Sequence, residues 1–172
     1  MHEEPGLTVT LTAVNAGTGP LPFGAGFHPY LRAGTPTVDD VRLTVPADIW
    51  LPVDERAIPT GERRPVEGDL DLRGGRPVGA AVLDHCFTGL LRDPDGRARV
   101  VLKGPSAATT LWMDEAFGHV MVFTGDTLAP DRRRRGLAVE PMTCAPDAFN
   151  SGDGLRVLHP GQELVARWGM SA

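Results

Sequence analysis

The clearest structural signal in the chain is the segment Leu7-Thr8-Val9-Thr10-Leu11-Thr12-Ala13-Val14. Apolar residues occupy its odd positions, and threonines alternate with them. Period-two alternation that is rich in β-branched residues is typical of a strand with one buried and one exposed face. The turn-forming run Asn15-Ala16-Gly17-Thr18-Gly19-Pro20 follows and predicts its end. A strand this close to Met1 suggests that the chain was cut upstream, so residues 1–172 are expected to form a single, partial domain.

The rest of the chain shows the same short-strand character. No window of 11 or more residues holds a helical period, and one or two helical turns are expected only around Pro146–Phe149. Residues 53–77 are polar and turn-rich, which predicts a long decorated loop. Many short strands separated by turns predict an all-β sandwich or barrel. Further strands are expected at Val41–Val45, Ile49–Leu51, Val82–Leu91, Ala98–Leu102, Ala108–Met113, His119–Thr124, Leu137–Glu140, Leu155–Leu158 and Glu163–Trp168.

Composition narrows the classes of partner. The net charge of -5 does not attract nucleic acid or an anionic membrane, so a polar small molecule is the expected partner. No apolar run approaches the roughly 20 residues of a membrane span, and no signal peptide is visible. Cys86 and Cys144 are the only cysteines, which is too few for a disulfide framework. A reducing cytoplasmic location is the simplest interpretation.

Three polar residues in apolar surroundings are candidates for chemistry. His28 lies in Pro22-Phe23-Gly24-Ala25-Gly26-Phe27-His28-Pro29-Tyr30, where Pro29 keeps it out of the helical region. An imidazole held on an extended segment suits general acid or base catalysis near neutral pH. A packed turn histidine is the alternative.

Glu140 and Asp84 are the two carboxylate candidates. Glu140 ends the apolar strand Leu137–Glu140, where desolvation would raise its pKa and suit a general base; a strand-end glutamate that points to water or pairs with arginine is the alternative. Asp84 lies in Leu83-Asp84-His85-Cys86-Phe87 and is expected on the face opposite to Phe87. Sugar hydroxyls could supply the donors that it needs, and a structural ion pair could do so as well.

Other features offer weaker alternatives. The run Arg132–Arg135 could hold a phosphate, or it could be a solvated loop. No metal site is expected, because the spacings of the histidines and cysteines match no zinc pattern. These residues are His28, His85, His119, Cys86 and Cys144.

Together these segments resemble the aldose 1-epimerase family, the galactose mutarotase-like proteins. Gly26–Tyr30 resembles the His-Pro-Tyr motif of that family, Leu83–Phe87 its Asp-His-x-Phe segment, and Glu140–Asn150 its glutamate motif. The resemblance extends from Leu7 to about Trp168. Further matching segments are Leu51–Glu55, Ile58–Gly61, Asp71–Arg73, Phe123–Asp126 and Leu158–Gln162.

The resemblance implies an antiparallel β-sandwich that binds a hexose in an open cleft and needs no cofactor or metal. By the same resemblance, Glu140 would take the proton of the anomeric hydroxyl and His28 would protonate the ring oxygen. Asp84 would bind sugar hydroxyls, and Tyr30 would line the cleft. The acid and the base are then expected to face each other across a gap about one pyranose wide.

The resemblance also implies that an N-terminal part is missing, with an Asn-Arg pair and a second histidine that contact the sugar. Activity of this chain alone is therefore in question, and exposed sheet edges are expected to promote self-association. Two alternative functions stay open. One is a carbohydrate-binding or regulatory module without turnover, and the other is a hexose-6-phosphate 1-epimerase that uses Arg132–Arg135.

Overall fold

The computed structural model describes residues 6–172, and this part of the chain is built almost entirely from β-strands. Two short 3₁₀ turns, Val38–Asp40 and Gly68–Leu70, and one helix, α1 (Ala148–Ser151), join them. The strands in chain order are β1 (Leu7–Val14), β2 (Leu21–Phe23), β3 (Tyr30–Leu31), β4 (Arg42–Thr44), β5 (Ala47–Leu51), β6 (Arg64–Pro65), β7 (Arg76–Pro77), β8 (Asp84–Leu90), β9 (Ala98–Lys103), β10 (Ala108–Met113), β11 (His119–Phe123), β12 (Leu137–Met142), β13 (Arg156–Leu158) and β14 (Glu163–Ser171).

The strands form two six-stranded antiparallel sheets and a small two-stranded one. The first sheet has the order β1-β14-β10-β9-β4-β7, and the second has the order β3-β12-β11-β8-β5-β6. Strands β13 and β2 form the small sheet. The prediction of an all-β antiparallel sandwich is thereby confirmed.

A single large core lies between the two six-stranded sheets. The first sheet contributes Leu102 and Leu111, and the second contributes Phe87, Val120 and Val139, all of them almost completely buried. Each such side chain stabilises the fold by roughly 1.5–3 kcal/mol relative to an exposed position. The core therefore fixes which face of each strand points inward.

Strand β1 follows the alternation of its sequence. It pairs with β14 from Leu7↔Met170 to Val14↔Glu163. Val9 and Leu11 are half-buried and pack against the core, whereas its threonines are exposed. The predicted amphipathic strand is therefore confirmed.

The predictions for the loops and shortest strands were less complete. Residues 53–77 contain β6, β7 and a 3₁₀ turn, and an ion-pair cluster in which Arg73 contacts Asp48 and Asp71 at 2.6 and 2.7 Å orders part of this segment. Strands β2 and β3 were not predicted. A strand of two or three residues has no measurable period, so only its pairing partner defines it.

The second sheet presents its other face to the loops and to solvent. Along β12, Leu137, Val139 and Pro141 are buried, and Glu140 and Met142 alternate with them. Across the neighbouring strands, Met121 lies opposite both Glu140 and Cys86. This face carries the candidate site. None of the helices among residues 6–172 has the length and apolar character needed to cross a membrane.

Candidate active site

The segment that carries His28 runs antiparallel along β12. Gly26 bridges to Met142, and Tyr30 pairs with Ala138. The N–H of Phe27 donates to the Pro141 carbonyl at 3.1 Å, and the N–H of Val139 donates to the Pro29 carbonyl at 3.1 Å. The same register, continued between these points, sets His28 opposite Glu140. Two motifs more than 100 residues apart in sequence thus become a cross-strand pair.

Alternation along the segment decides which side chains reach the site. Phe27 points into the core, where its ring lies 5.3 Å from Trp168 and 6.1 Å from Phe117, measured between ring centroids. Leu31 is also buried in the core. His28 and Tyr30 therefore project from the opposite face, which is the face of Glu140.

His28 and Glu140 are in direct contact. His28 Nε2 lies 3.0 Å from Glu140 Oε1, with side chains 55% and 16% exposed. The Tyr30 ring stacks on the imidazole at a centroid distance of 5.1 Å and an interplanar angle of 28°. We expected the acid and the base to be separated by about one pyranose; instead they touch, and a ligand has access to the pair from the exposed side of His28.

Burial and neighbouring charges shift the pKa of Glu140. Burial raises the pKa of Glu140 above its ordinary value, the neighbouring imidazole of His28 opposes this, and the negative charge of Asp84 adds to it. Burial also raises the pKa of Tyr30, and Glu140 adds to that rise. A carboxylate with a raised pKa that lies 3.0 Å from an imidazole nitrogen suits proton transfer near neutral pH.

Asp84 lies on the same sheet, with β11 between it and Glu140. It pairs with Phe123, two positions along β11 from the Met121 that lies opposite Glu140. It is exposed, and no ion pair joins it to any residue between 6 and 172, so the structural ion pair considered from the sequence is not found there. With Trp50 and His85 it lines a cleft of about 390 Å³.

His119 lies on the same face, although its sequence context predicted no catalytic or binding role for it. It pairs with Met142 and is 4% exposed. Neither ring nitrogen has a hydrogen-bond partner among the described residues, and Nε2 lies 3.7 Å from Asp153 Oδ1. Burial lowers the pKa of His119. Residues two apart on a strand share a face, so His119 and Met121 lie on the same face of β11. Once Met121 is known to lie opposite Glu140, the sequence alone places His119 on the face of Glu140.

The arginine run divides into two parts. Arg134 is a structural clamp: it contacts Asp39 at 2.6 Å and Asp126 at 2.8 Å, and it donates to the carbonyls of Gly79 and Ala81. The remaining arginines of the run are exposed. Two of them, with Arg32, line a cleft of about 510 Å³ that also includes the stacked Tyr30; the lining residues are Tyr30, Arg32, Leu128, Asp131, Arg132, Arg135 and Gly136.

Within the part of the chain that the structure covers, no group of three or more histidine, cysteine or acidic side chains is placed to hold a metal ion. The two cysteines are unpaired, and burial raises the pKa of Cys86 to about 12.

Comparison with known proteins finds matches along almost the whole chain. The family model described as aldose 1-epimerase matches residues 1–171. YihR, an uncharacterized protein of Escherichia coli K12, is 33% identical over 162 residues, which are 94% of this chain and 50% of YihR. Human galactose mutarotase is 43% identical over 56 residues, which are 32% of this chain and 16% of the human protein.

Solved structures share the fold. A galactose mutarotase-like protein from Clostridium acetobutylicum superposes with a TM-score of 0.80 at 18% identity, over 96% of this chain and 52% of its own. A GalM/aldose epimerase homologue from C. elegans gives a TM-score of 0.77 at 18% identity, over 95% of this chain and 55% of its own. The chain spans about half the length of YihR and of these structures.

Proposed function

The chain belongs to the aldose 1-epimerase family, and we propose that it serves to interconvert the α and β anomers of a hexose such as glucose or galactose. The observation that carries this proposal is the contact between His28 Nε2 and Glu140 Oε1 at 3.0 Å. It provides one proton donor and one proton acceptor on a sheet face with open access. Anomer exchange through the open-chain aldehyde needs two such groups and no redox step.

In this proposal Glu140, as the carboxylate, removes the proton of the anomeric hydroxyl. The protonated imidazole of His28 delivers a proton to the ring oxygen as the bond between C1 and that oxygen breaks. The product is the open-chain aldehyde, with the carboxyl protonated and the imidazole neutral. Rotation about C1–C2 followed by the reverse transfers closes the ring to either anomer and restores both groups.

Neighbouring side chains support the positioning of the sugar. Tyr30 stacks on His28, which orients the imidazole and offers an aromatic wall for the ring of the sugar. Asp84 is exposed and lines a cleft on the same sheet, so it is available to accept hydrogen bonds from hydroxyl groups. The roles of His28, Glu140, Asp84 and Tyr30 are part of the proposal.

The test is the rate of anomer exchange of freshly dissolved α-glucose or α-galactose, followed by polarimetry. We expect the chain to accelerate exchange over buffer, and Glu140→Gln to lower that acceleration by about 10²–10⁴-fold. Glu115→Gln is the matched control, because Glu115 is an exposed glutamate on the turn between β10 and β11. An unchanged rate in the Glu140 variant would rule out Glu140 as the base.

Calorimetry distinguishes the enzyme from a binding module. Hexose binding without any acceleration by the unsubstituted chain favours a carbohydrate-binding or regulatory module. The absence of both binding and acceleration contradicts a hexose function for this chain.

A second candidate function, a hexose-6-phosphate 1-epimerase, is favoured by the cleft beside Tyr30. Arg32, Arg132 and Arg135 line that cleft against a single acidic residue, Asp131. Guanidinium groups suit the planar, bidentate recognition of a phosphate. The excess positive charge lies next to the residue that stacks on His28.

Glucose 6-phosphate and glucose should therefore be compared as substrates. If the second candidate is correct, Arg132→Ala and Arg135→Ala reduce the activity on the phosphate alone, while the exposed Arg133→Ala leaves it unchanged. Equal turnover of both sugars in all variants contradicts a phosphate function.

A further inference from the structure

Strand β11 lies between the two carboxylates of the candidate site. Glu140 on β12 and Asp84 on β8 are separated by this one strand in the second sheet. Glu140 lies opposite Met121 of β11, and Asp84 lies opposite Phe123. Adjacent strands are about 4.8 Å apart, so β12 and β8 are about 10 Å apart. A pyranose ring that reaches both carboxylates therefore crosses β11.

Two side chains of β11 face that ring. Residues two apart on a strand project to the same side, so Met121 and Phe123 share a face. Val120 and Val122 alternate with them and are fully buried in the core, which leaves Met121 and Phe123 on the face of the candidate site. Both are half-buried. Phe123 has no hydrogen-bonding side-chain group, and the thioether of Met121 is only a weak acceptor. We call these two side chains the apolar floor.

The packing of Met121 holds the floor in place. Met121 packs against the buried cluster of Leu51, Cys86 and Ala145. Cys86 is its cross-strand partner on β8, and Ala145 comes from the segment that follows β12. These contacts restrict the conformations of the thioether. The apolar surface between the two carboxylates is therefore a built part of the sheet.

An apolar surface distinguishes one arrangement of sugar hydroxyls from another. Axial C–H groups pack against it, whereas a hydroxyl directed onto it loses water and finds no partner. The C2, C3 and C4 hydroxyls of glucose are equatorial, so axial C–H groups are present on both faces of its ring. Galactose and mannose carry an axial hydroxyl on one face, at C4 and C2 respectively, and allose carries one on the opposite face, at C3.

We propose that Met121 and Phe123 determine which hexose epimers the site accepts, because the C–H face of the ring rests on them. This inference rests on the proposed function, since it places the sugar between Glu140 and Asp84. The substrate class is a hexopyranose with no axial hydroxyl at C2, C3 or C4 on the face that meets the floor. Proton transfer at the edge of the ring stays with His28 and Glu140.

The first test is an NOE spectrum of the protein, with its methionine methyl groups labelled with ¹³C, in the presence of glucose. We expect cross-peaks from the Met121 methyl group to the axial hydrogens of one face of the β anomer, either those on C1, C3 and C5 or those on C2 and C4. Met121→Gln removes these peaks. Met142→Gln is the matched control and keeps them, because Met142 lies on the same sheet face but opposite His119, away from Asp84.

The second test compares glucose, galactose, mannose and allose, by kcat/KM for anomer exchange and by binding constants from calorimetry. Epimers with an axial hydroxyl on the face seen in the NOE spectrum should be at least about tenfold poorer than glucose. The amide of Met121→Gln donates and accepts hydrogen bonds, so this variant should improve those epimers relative to glucose by at least about fivefold. Met142→Gln leaves the ratios unchanged, and thermal unfolding reports whether each variant keeps its fold.

The outcomes separate this inference from the proposed function. Exchange or binding of glucose without an NOE to the Met121 methyl group, or equal performance of the four sugars, overturns the inference and leaves the proposed function standing. A rejected epimer whose axial hydroxyl lies on the face away from Met121 overturns it as well. If the chain neither binds nor converts any of the four sugars, the proposed function and this inference both fail.

Discussion

At the residue scale, the ionisation of Glu140 in the candidate site depends on its burial and on two neighbours, His28 and Asp84. Glu140 is desolvated between strands, His28 touches it, and Asp84 lies on the same sheet. Burial and Asp84 both favour the protonated form of Glu140, whereas His28 favours the ionised form. The carboxyl group therefore ionises at a higher pH than an ordinary glutamate. Asp84 raises the pKa of Glu140, and His28 lowers it.

This balance predicts the pH dependence of catalysis. If Glu140 is the base, kcat/KM increases with pH as Glu140 ionises, with an apparent pKa above the ordinary glutamate value. Asp84→Asn removes the negative charge and moves that apparent pKa downward. The measurement is a pH–rate profile of both proteins between pH 3.5 and 8. An upward shift in the Asp84 variant contradicts the electrostatic role assigned to Asp84.

At the element scale, the candidate site is held by the pairing of residues 26–31 with β12. The backbone bonds fix the register, and Phe27 fixes the side that faces inward. His28 has no packing of its own in the core, being 55% exposed. The position of the His28 imidazole therefore depends on Phe27, the preceding residue, which is anchored in the core.

Phe27→Ala is expected to disturb both stability and the site. The lost contacts with Trp168 and Phe117 cost about 2–4 kcal/mol, somewhat less than for a fully buried phenylalanine. The measurement is the free energy of unfolding in urea. Phe149→Ala is the matched control because Phe149 is 72% exposed, and it should change stability by less than about 0.5 kcal/mol. Equal effects of the two substitutions would contradict the anchoring role of Phe27.

At the scale of the whole molecule, two histidines whose pKa values are lowered by burial link the stability of the sandwich to pH. Burial lowers the pKa of both His119 and His85. The unfolded chain then binds a proton at a higher pH than the native state does. The contribution of these histidines to stability is fully present above their pKa in the unfolded chain, which is about 6.5. It is lost as pH falls through their lowered pKa values in the native state. The raised pKa of Glu140 acts in the opposite sense, since its stabilising contribution is lost as pH rises.

We therefore expect the free energy of unfolding to fall between pH 7.5 and 5.5, by on the order of 1 kcal/mol for each unit of pKa shift. His119→Gln makes this dependence shallower. His159→Gln, at an exposed histidine, keeps the wild-type dependence. Urea titrations at four pH values measure the slopes. A His119 variant with the full wild-type slope would show that His119 does not contribute.

The alternation of residues 7–14 was enough to predict β1, and most longer strands were found because period-two patterning is local information. Residues 30–31 carry no such pattern, so β3 became visible only through its pairing with β12. The same holds for the site. His28, Glu140 and Asp84 could be named as candidates from their local surroundings, but nothing local revealed that His119 is buried without a hydrogen-bond partner among the described residues.

The sequence by itself determined the fold class, the inward and outward faces of the long strands, and the residue types available for proton transfer. Only the tertiary structure decided that His28 and Glu140 touch, and that Arg134 is a clamp while Arg132 and Arg135 line a cleft. The physical reason is that alternation depends on adjacent residues. Contacts between distant segments depend on pairing register, and the whole set of strands must establish that register together.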